Sequence, residues 1–230
     1  MNVQGFQKMT LLDYPGKIAC TVFTGGCNLR CPFCHNASLV KHPCGRDSAE
    51  EEVFSYLEKR RGILEGVCVT GGEPLLQPDL IPFLSRVKAL GYAVKLDTNG
   101  SLPDALASVL KAGVVDYVAM DVKSGPEHLT AAIGTAIPAE RFLQSMAHLR
   151  AAGIPYEFRT TLVKGIHTER DVIAMGEQIR SDEPYYLQGF VDSGDILGEG
   201  VESFTPDEMK HFLSLLQKDH VCVHLRGQEE

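Results

Sequence analysis

Six times in succession the 230-residue chain runs a short β-branched stretch into a loop rich in glycine or acids and then into a helical stretch. That rhythm restricts the fold more than any other feature, because repeated strand–helix alternation builds a parallel sheet. The pattern predicts strands over Ile18–Phe23, Gly66–Thr70, Ala93–Asp97, Val115–Met120, Tyr156–Leu162 and Tyr185–Phe190, with Val221–Leu225 as a further candidate. Helices are predicted over Ser48–Arg61, Pro78–Leu90, Pro103–Ala112, Ala139–Ala152, Glu169–Ile179 and Thr205–Lys218. Ser48 with Glu51 forms a helix-start signal, and Gly91, Gly113 and Gly153 stand where helix ends favour a left-handed residue. One domain is expected: an extension over 1–17, a core over 18–190, and a closing helix and strand over 191–230.

The strand exits decide between the two ways of arranging such a sheet. They read Thr24-Gly25-Gly26-Cys27, Thr70-Gly71-Gly72-Glu73-Pro74, Asp97-Thr98-Asn99-Gly100, Asp121-Val122-Lys123 and Arg159-Thr160-Thr161. Polar chemistry at the carboxyl end of five strands suits a barrel rim, whereas a doubly wound sheet gathers it at one switch point. A partial TIM-type (β/α)6 barrel with parallel strands is therefore the expected fold. Period-two alternation puts Lys95 with Asp97, Asp121 with Lys123, and Glu157 with Arg159 and Thr161 on shared faces. Val94, Leu96, Val118, Met120, Tyr156 and Phe158 take the opposite faces, suited to packing under helices. Buried charges must be paired or face a polar cavity, and three neighbouring strands doing the same thing favour a cavity.

Seven cysteines punctuate the chain, three of them within eight positions: Cys27-Asn28-Leu29-Arg30-Cys31-Pro32-Phe33-Cys34-His35. Redox chemistry at Cys31-Pro32-Phe33-Cys34 leaves Cys27 idle. Covalent haem on Cys31 to His35 fits an exported protein, and the apolar run of a signal peptide is missing from the first residues. Structural zinc would draw a fourth ligand from His35, His42 or Cys44. An iron–sulfur cluster on three thiolates is the fourth reading, since thiolates suit such clusters and an open metal position signals chemistry. Composition narrows the field further. The net charge is −8, Trp is absent and aromatics are 7%, so direct nucleic-acid binding is not expected. No run of about 18 apolar residues marks a membrane span, and the cytoplasm is the expected compartment.

The spacing C-x3-C-x2-C, with Phe33 before the last cysteine, resembles the signature of the radical S-adenosylmethionine (SAM) superfamily. Gly71-Gly72-Glu73-Pro74 is similar to that family's GGEP segment. Asp97-Thr98-Asn99-Gly100 and Met120-Asp121-Val122-Lys123 resemble SAM-holding segments of the glycyl-radical-enzyme activases. The opening Gly5-Phe6-Gln7-Lys8-Met9-Thr10-Leu11-Leu12-Asp13-Tyr14-Pro15-Gly16-Lys17-Ile18 resembles the start of anaerobic ribonucleoside-triphosphate reductase activating proteins.

The resemblance implies a [4Fe–4S] cluster on Cys27, Cys31 and Cys34, the catalytic centre. It implies SAM held by Phe33, Gly71, Gly72, Glu73, Asp97, Thr98, Asn99, Asp121, Lys123 and Arg159. Phe33 would lie beside the adenine, the Gly71-Gly72 backbone would meet the SAM amino group, and Arg159 would meet the methionyl carboxylate. The implied activity is reductive cleavage of SAM and formation of a glycyl radical on a partner. That partner would be the large subunit of an anaerobic ribonucleotide reductase, with a flavodoxin- or ferredoxin-type reductant. A histidine found on the last barrel strand of some activases has no counterpart in Leu187-Gln188-Gly189-Phe190-Val191. Two other functions compete: a radical SAM enzyme acting on a small molecule, for example in deazapurine synthesis, and a non-catalytic metal or electron-transfer protein. Cys20, Cys68 and Cys222 read as buried small hydrophobes, and Glu50-Glu51-Glu52 as a helix start favoured by the macrodipole.

Overall fold

A computed structural model describes residues 1–41 and 49–227. Eight strands form one sheet in the order of the chain: β1 (Val3–Thr10), β2 (Ala19–Thr24), β3 (Gly66–Gly71), β4 (Ala93–Thr98), β5 (Tyr117–Asp121), β6 (Tyr156–Leu162), β7 (Tyr185–Gly189) and β8 (Val223–Arg226). The sequential order has no reversal, so the sheet has no doubly wound switch point and winds in one sense. Strands β2 to β8 run parallel; β1 pairs antiparallel with β2. The six expected strands are β2 to β7, and the candidate at the end of the chain is β8. Among the described residues β1 and β8 do not pair, so the barrel is partial, as expected.

Strand β1 lies inside the segment expected to be a mere extension. Its alternation is hidden by Gly5 and by register irregularities between Val3 and Gly5 and between Gln7 and Thr10. The helices are α1 (Ala37–Lys41), α2 (Ala49–Lys59), α3 (Leu80–Ala89), α4 (Pro103–Lys111), α5 (Leu129–Ile133), α6 (Ala139–Ala151), α7 (Glu169–Gly176) and α8 (Pro206–Leu216). Those that match expected helices are trimmed at one or both ends; the short α1 and α5 carry too few residues to show a period. The expected cap Ser48, like His42 and Cys44, lies outside the described residues. Gly91 and Gly113 close α3 and α4 with φ of +91° and +65°, a conformation that side chains disfavour.

The core lies between the helices and the outward faces of the strands. Helix α6 contributes Phe142, Ser145, Met146 and Leu149 at i, i+3, i+4 and i+7, one buried stripe. Opposite such stripes Val94, Leu96, Val118, Met120 and Phe158 are buried, as their strand parity requires. The inward faces carry the charges. Cys20 and Cys68 are buried, but Cys222 is half-buried, because it precedes β8 rather than lying within it. No helix among the described residues is long and apolar enough to cross a membrane.

Candidate active site

One cavity of about 410 Å³ opens at the carboxyl ends of the strands. It is lined by Cys27, Cys31, Cys34, Phe33, Gly71, Gly72, Asp97, Thr98, Asn99, Asp121, Lys123 and Arg159. Of the residues expected to bind cluster or SAM, Glu73 alone does not line it. Gln7, Asp13, Thr21, Phe23, Thr161 and Gln188 also line the cavity and were missed. Inward parity on β2, β6 and β7 was the available signal for Thr21, Phe23, Thr161 and Gln188. Gln7 lies on the irregular β1 and Asp13 in the loop after it, and neither carried one. Gln188 occupies the strand where the activase histidine was looked for.

The three cysteines ride on the loop that leaves β2. Two foreign segments pin it. Arg30 N–H donates to the Ile133 carbonyl (2.8 Å) at the end of α5, and Gly198 N–H donates to the Pro32 carbonyl (2.8 Å). Both approaches are close: a Cβ on Gly134 would sit 2.2 Å from the Arg30 carbonyl oxygen, and one on Gly198 2.7 Å from Pro32 Cβ. Ser38 N–H and Oγ both donate to Asp195, so the segment after β7 clamps the loop's far end as well. These clamps come from distant sequence, and no local pattern announces them.

Cys31 is buried, while Cys27 and Cys34 are half-buried. Burial pushes the Cys31 thiol up to about 11; Lys123 opposes this, and Cys27 and Cys34 add to it. Burial likewise raises Cys27. Leu29 N–H and Asn99 Nδ2 donate to Cys27 Sγ (3.4 and 3.7 Å), the kind of contact that tunes a thiolate once it ligates metal. Among the described residues, no three His, Cys, Asp or Glu groups are gathered closely enough to hold a single ion. The three thiols instead border a common cavity. Thiolate sulfur is the ligand type that suits an iron–sulfur cluster.

Facing the thiols, five charged side chains alternate across three strands. Lys95 pairs with Asp97, Asp97 with Arg159 Nη1 (3.1 Å), Arg159 Nη2 with Asp121 (3.0 Å), and Asp121 with Lys123 Nζ (2.9 Å). Burial pushes the Asp121 carboxyl up, but Lys123 and Arg159 overcome it and hold the group at about 2. Burial also opposes ionisation of Asp97; Arg159 and Lys95 outweigh it and lower that pKa. Arg159 and Lys123 are the cations of the ladder that line the cavity, and their N–H groups are donors suited to a carboxylate ligand. Arg159 is thus already shared between two aspartates, and an incoming carboxylate would meet a guanidinium held in place rather than a free one.

The Gly71-Gly72 turn has a local reason for glycine. Gly71 has φ of +112°, and its Cβ would lie 2.4 Å from Thr24 N; a Cβ on Gly72 would lie 2.0 Å from the Gly26 carbonyl oxygen. The close approach is to the exit of β2, so the two glycines seat the third-strand loop against the cysteine loop. Glu73 then locks it to β4. Its carboxylate accepts from Leu75 N–H (3.0 Å), Thr98 Oγ1 (2.9 Å) and Asn99 N–H (2.7 Å). Glu73 is fully buried and its pKa is raised to about 7 by burial, against those three donors. It positions Thr98 and Asn99, which line the cavity, and is not itself among the lining residues.

A singly wound partial barrel with a three-thiol loop and a charged ladder at its rim defines a class: barrel enzymes that keep a sulfur-ligated metal centre at the strand ends. Residues 21–178 match the radical SAM superfamily, and the chain belongs to it. It is 29% identical over 194 residues to a Methanocaldococcus jannaschii protein named for glycyl-radical enzyme activation, covering 82% of this chain and 79% of that one. It is 35% identical over 132 residues to the pyruvate formate-lyase-activating enzyme of Listeria monocytogenes, spanning 53% of each. A shorter match, 40% over 94 residues, is to the 7-carboxy-7-deazaguanine synthase of Koribacter versatilis, 40% of this chain and 39% of that one. Streptococcus suis SuiB bound to S-adenosylmethionine shares the fold, with a TM-score of 0.65 at 15% identity over 89% of this chain. The chain spans about half the length of SuiB (49%). The [4Fe–4S] cluster and SAM are the cofactors this family implies, and the three-thiol loop and the ladder fit them.

Proposed function

We propose that this chain is a glycyl-radical-enzyme activase, acting in the cytoplasm on the large subunit of an anaerobic ribonucleotide reductase. Its electron would come from a flavodoxin- or ferredoxin-type reductant. The observation that carries the reading is one cavity lined both by Cys27, Cys31 and Cys34 and by Asp97, Arg159, Asp121 and Lys123 of the ladder. The resemblance of the opening Gly5 to Ile18 segment supports the choice of partner, and the M. jannaschii relative, matched over most of both chains, supports activation.

Cys27, Cys31 and Cys34 would hold the cluster, and the ladder with the Gly71-Gly72 turn would hold SAM. The chemistry these groups supply when bound is one-electron cleavage of SAM to methionine and a 5′-deoxyadenosyl radical, which takes hydrogen from a glycine Cα and becomes 5′-deoxyadenosine. The protein's share is orientation and exclusion of water. Arg159 and Lys123, each fixed by Asp121, would fix the methionyl end. Phe33, buried beside the cavity, would present a ring face to the adenine. Asn99, donating to Cys27 Sγ, ties the SAM side of the cavity to the cluster side.

The deciding experiment is anaerobic incubation of the reconstituted chain with SAM, dithionite and a candidate partner, watched by electron paramagnetic resonance. A glycyl radical on the reductase subunit is expected. Radical on pyruvate formate-lyase instead would change the partner. Release of 5′-deoxyadenosine with no radical on either protein would favour the small-molecule reading, for which the deazaguanine synthase match is the supporting observation.

A further inference from the structure

Three groups at the edge of the cavity touch one another in a closed triangle. His167, in the turn after β6, is buried and lies outside the cavity lining. Val163 N–H donates to its Nδ1 (2.9 Å), so the ring proton sits on Nε2, which donates to the Lys123 carbonyl (2.8 Å). Its ring meets Phe33 edge-on, with centroids 6.0 Å apart at 63°. Lys123 closes the figure, its Nζ standing 5.9 Å over the Phe33 ring. One neutral side chain therefore spans the exits of β5 and β6 and the cysteine loop. Burial lowers its pKa and keeps it neutral. Protonated Nδ1 would set one N–H against another.

We propose that His167 is a positioning residue of the SAM pocket: it fixes Phe33, on the adenine side, and Lys123, on the methionyl side, against each other and so holds the two ends of the SAM site in register. The inference rests on the reading that SAM fills this cavity. His167 touches neither cluster nor SAM, and its effect passes through the two groups it holds. Nothing in the sequence motifs pointed to it, since a histidine in a β–α turn carries no signal of its own.

The test uses the whole chain, reconstituted without air with iron and sulfide, and three variants. H167Q keeps a donor for the Lys123 carbonyl, H167F keeps a ring against Phe33, and H167A keeps neither. Iron content is expected to stay at the wild-type level in all three. Dissociation constants for SAM and for the non-cleavable S-adenosylhomocysteine, read by calorimetry, are expected to rise about tenfold in H167A, the effect of one lost buried hydrogen bond. H167Q and H167F should each recover part of that loss. In SAM cleavage KM should rise more than kcat falls. Folded, iron-loaded H167Q, H167F and H167A with wild-type affinity would overturn the proposal. So would loss of iron in all three, which would make His167 a support of the cluster loop. Failure of the iron-loaded wild type to bind SAM would instead sink the reading of the cavity itself.

Discussion

Two layers of the barrel interior use the same residue types to different ends. At the cavity, Lys95, Asp97, Arg159, Asp121 and Lys123 alternate in sign, end on a cation at each side, and leave Asp121 25% and Lys123 17% exposed. One layer down on β6, Glu157 is fully buried and accepts both Arg226 Nη1 (2.7 Å) and Nη2 (2.8 Å), with Tyr117 Oη adding a third donor (2.9 Å). Arg226 in turn stacks on Tyr186, 3.8 Å from its centroid. The lower set is closed: each charge has its partner and no surplus remains. The upper set opens to a cavity through Asp97, Asp121, Lys123 and Arg159. Inward charges of a barrel thus divide into those that complete one another and those that face a ligand site. The lining of the cavity, which includes these four but neither Glu157 nor Arg226, tells them apart.

The harshest way to probe the upper layer is to remove its metal side. Cys31→Ala should abolish SAM cleavage and lower iron content, whereas Cys222→Ala, half-buried and far along the chain, should leave both near wild type. Iron and 5′-deoxyadenosine assays on the two variants check the ligand assignment, and the reverse ranking would overturn it.

Arg159→Ala and Arg226→Ala then set the layers directly against each other. Loss of Arg159 should weaken SAM binding about thirtyfold, about 2 kcal/mol for a truncated charge pair, measured by calorimetry. Loss of Arg226 strands the buried Glu157 carboxylate and should cost about 3 kcal/mol of folding stability, with SAM affinity in the surviving folded protein little changed. If Arg226→Ala weakened SAM and Arg159→Ala did not, the division between the layers would be wrong.

The smallest effect is one of pH. The Asp121 carboxyl falls from 3.8 to about 2 on folding. A depressed folded value means stability fully present above pH 3.8 and lost as pH falls through about 2, because the unfolded chain takes up the proton first. Melting temperatures taken from pH 5 downward should decline over that window, and Asp121→Asn should flatten the decline. An equal decline in the variant would show that Asp121 is not the group responsible.

Much of this was legible in the chain. Parity placed Lys95, Asp97, Asp121, Lys123 and Arg159 on inward faces, and the glycine-rich exits marked the rim. What parity could not give was partnership. Arg159 was expected to await a carboxylate, but cross-strand neighbours had already engaged it, a fact of register between β4, β5 and β6. The GGEP run marks Glu73 but not its three donors, which come from Leu75 and from Thr98 and Asn99 at the end of β4. Strand β1 was hidden by its own irregular register, and with it the contribution of Gln7 to the cavity.

The account is tested most directly by loading the chain with iron and sulfide in the absence of air, then adding dithionite and SAM. It predicts about four irons per chain and release of methionine and 5′-deoxyadenosine in equal amounts. A chain that retains a single zinc, or that binds a cluster and leaves SAM intact, would contradict it.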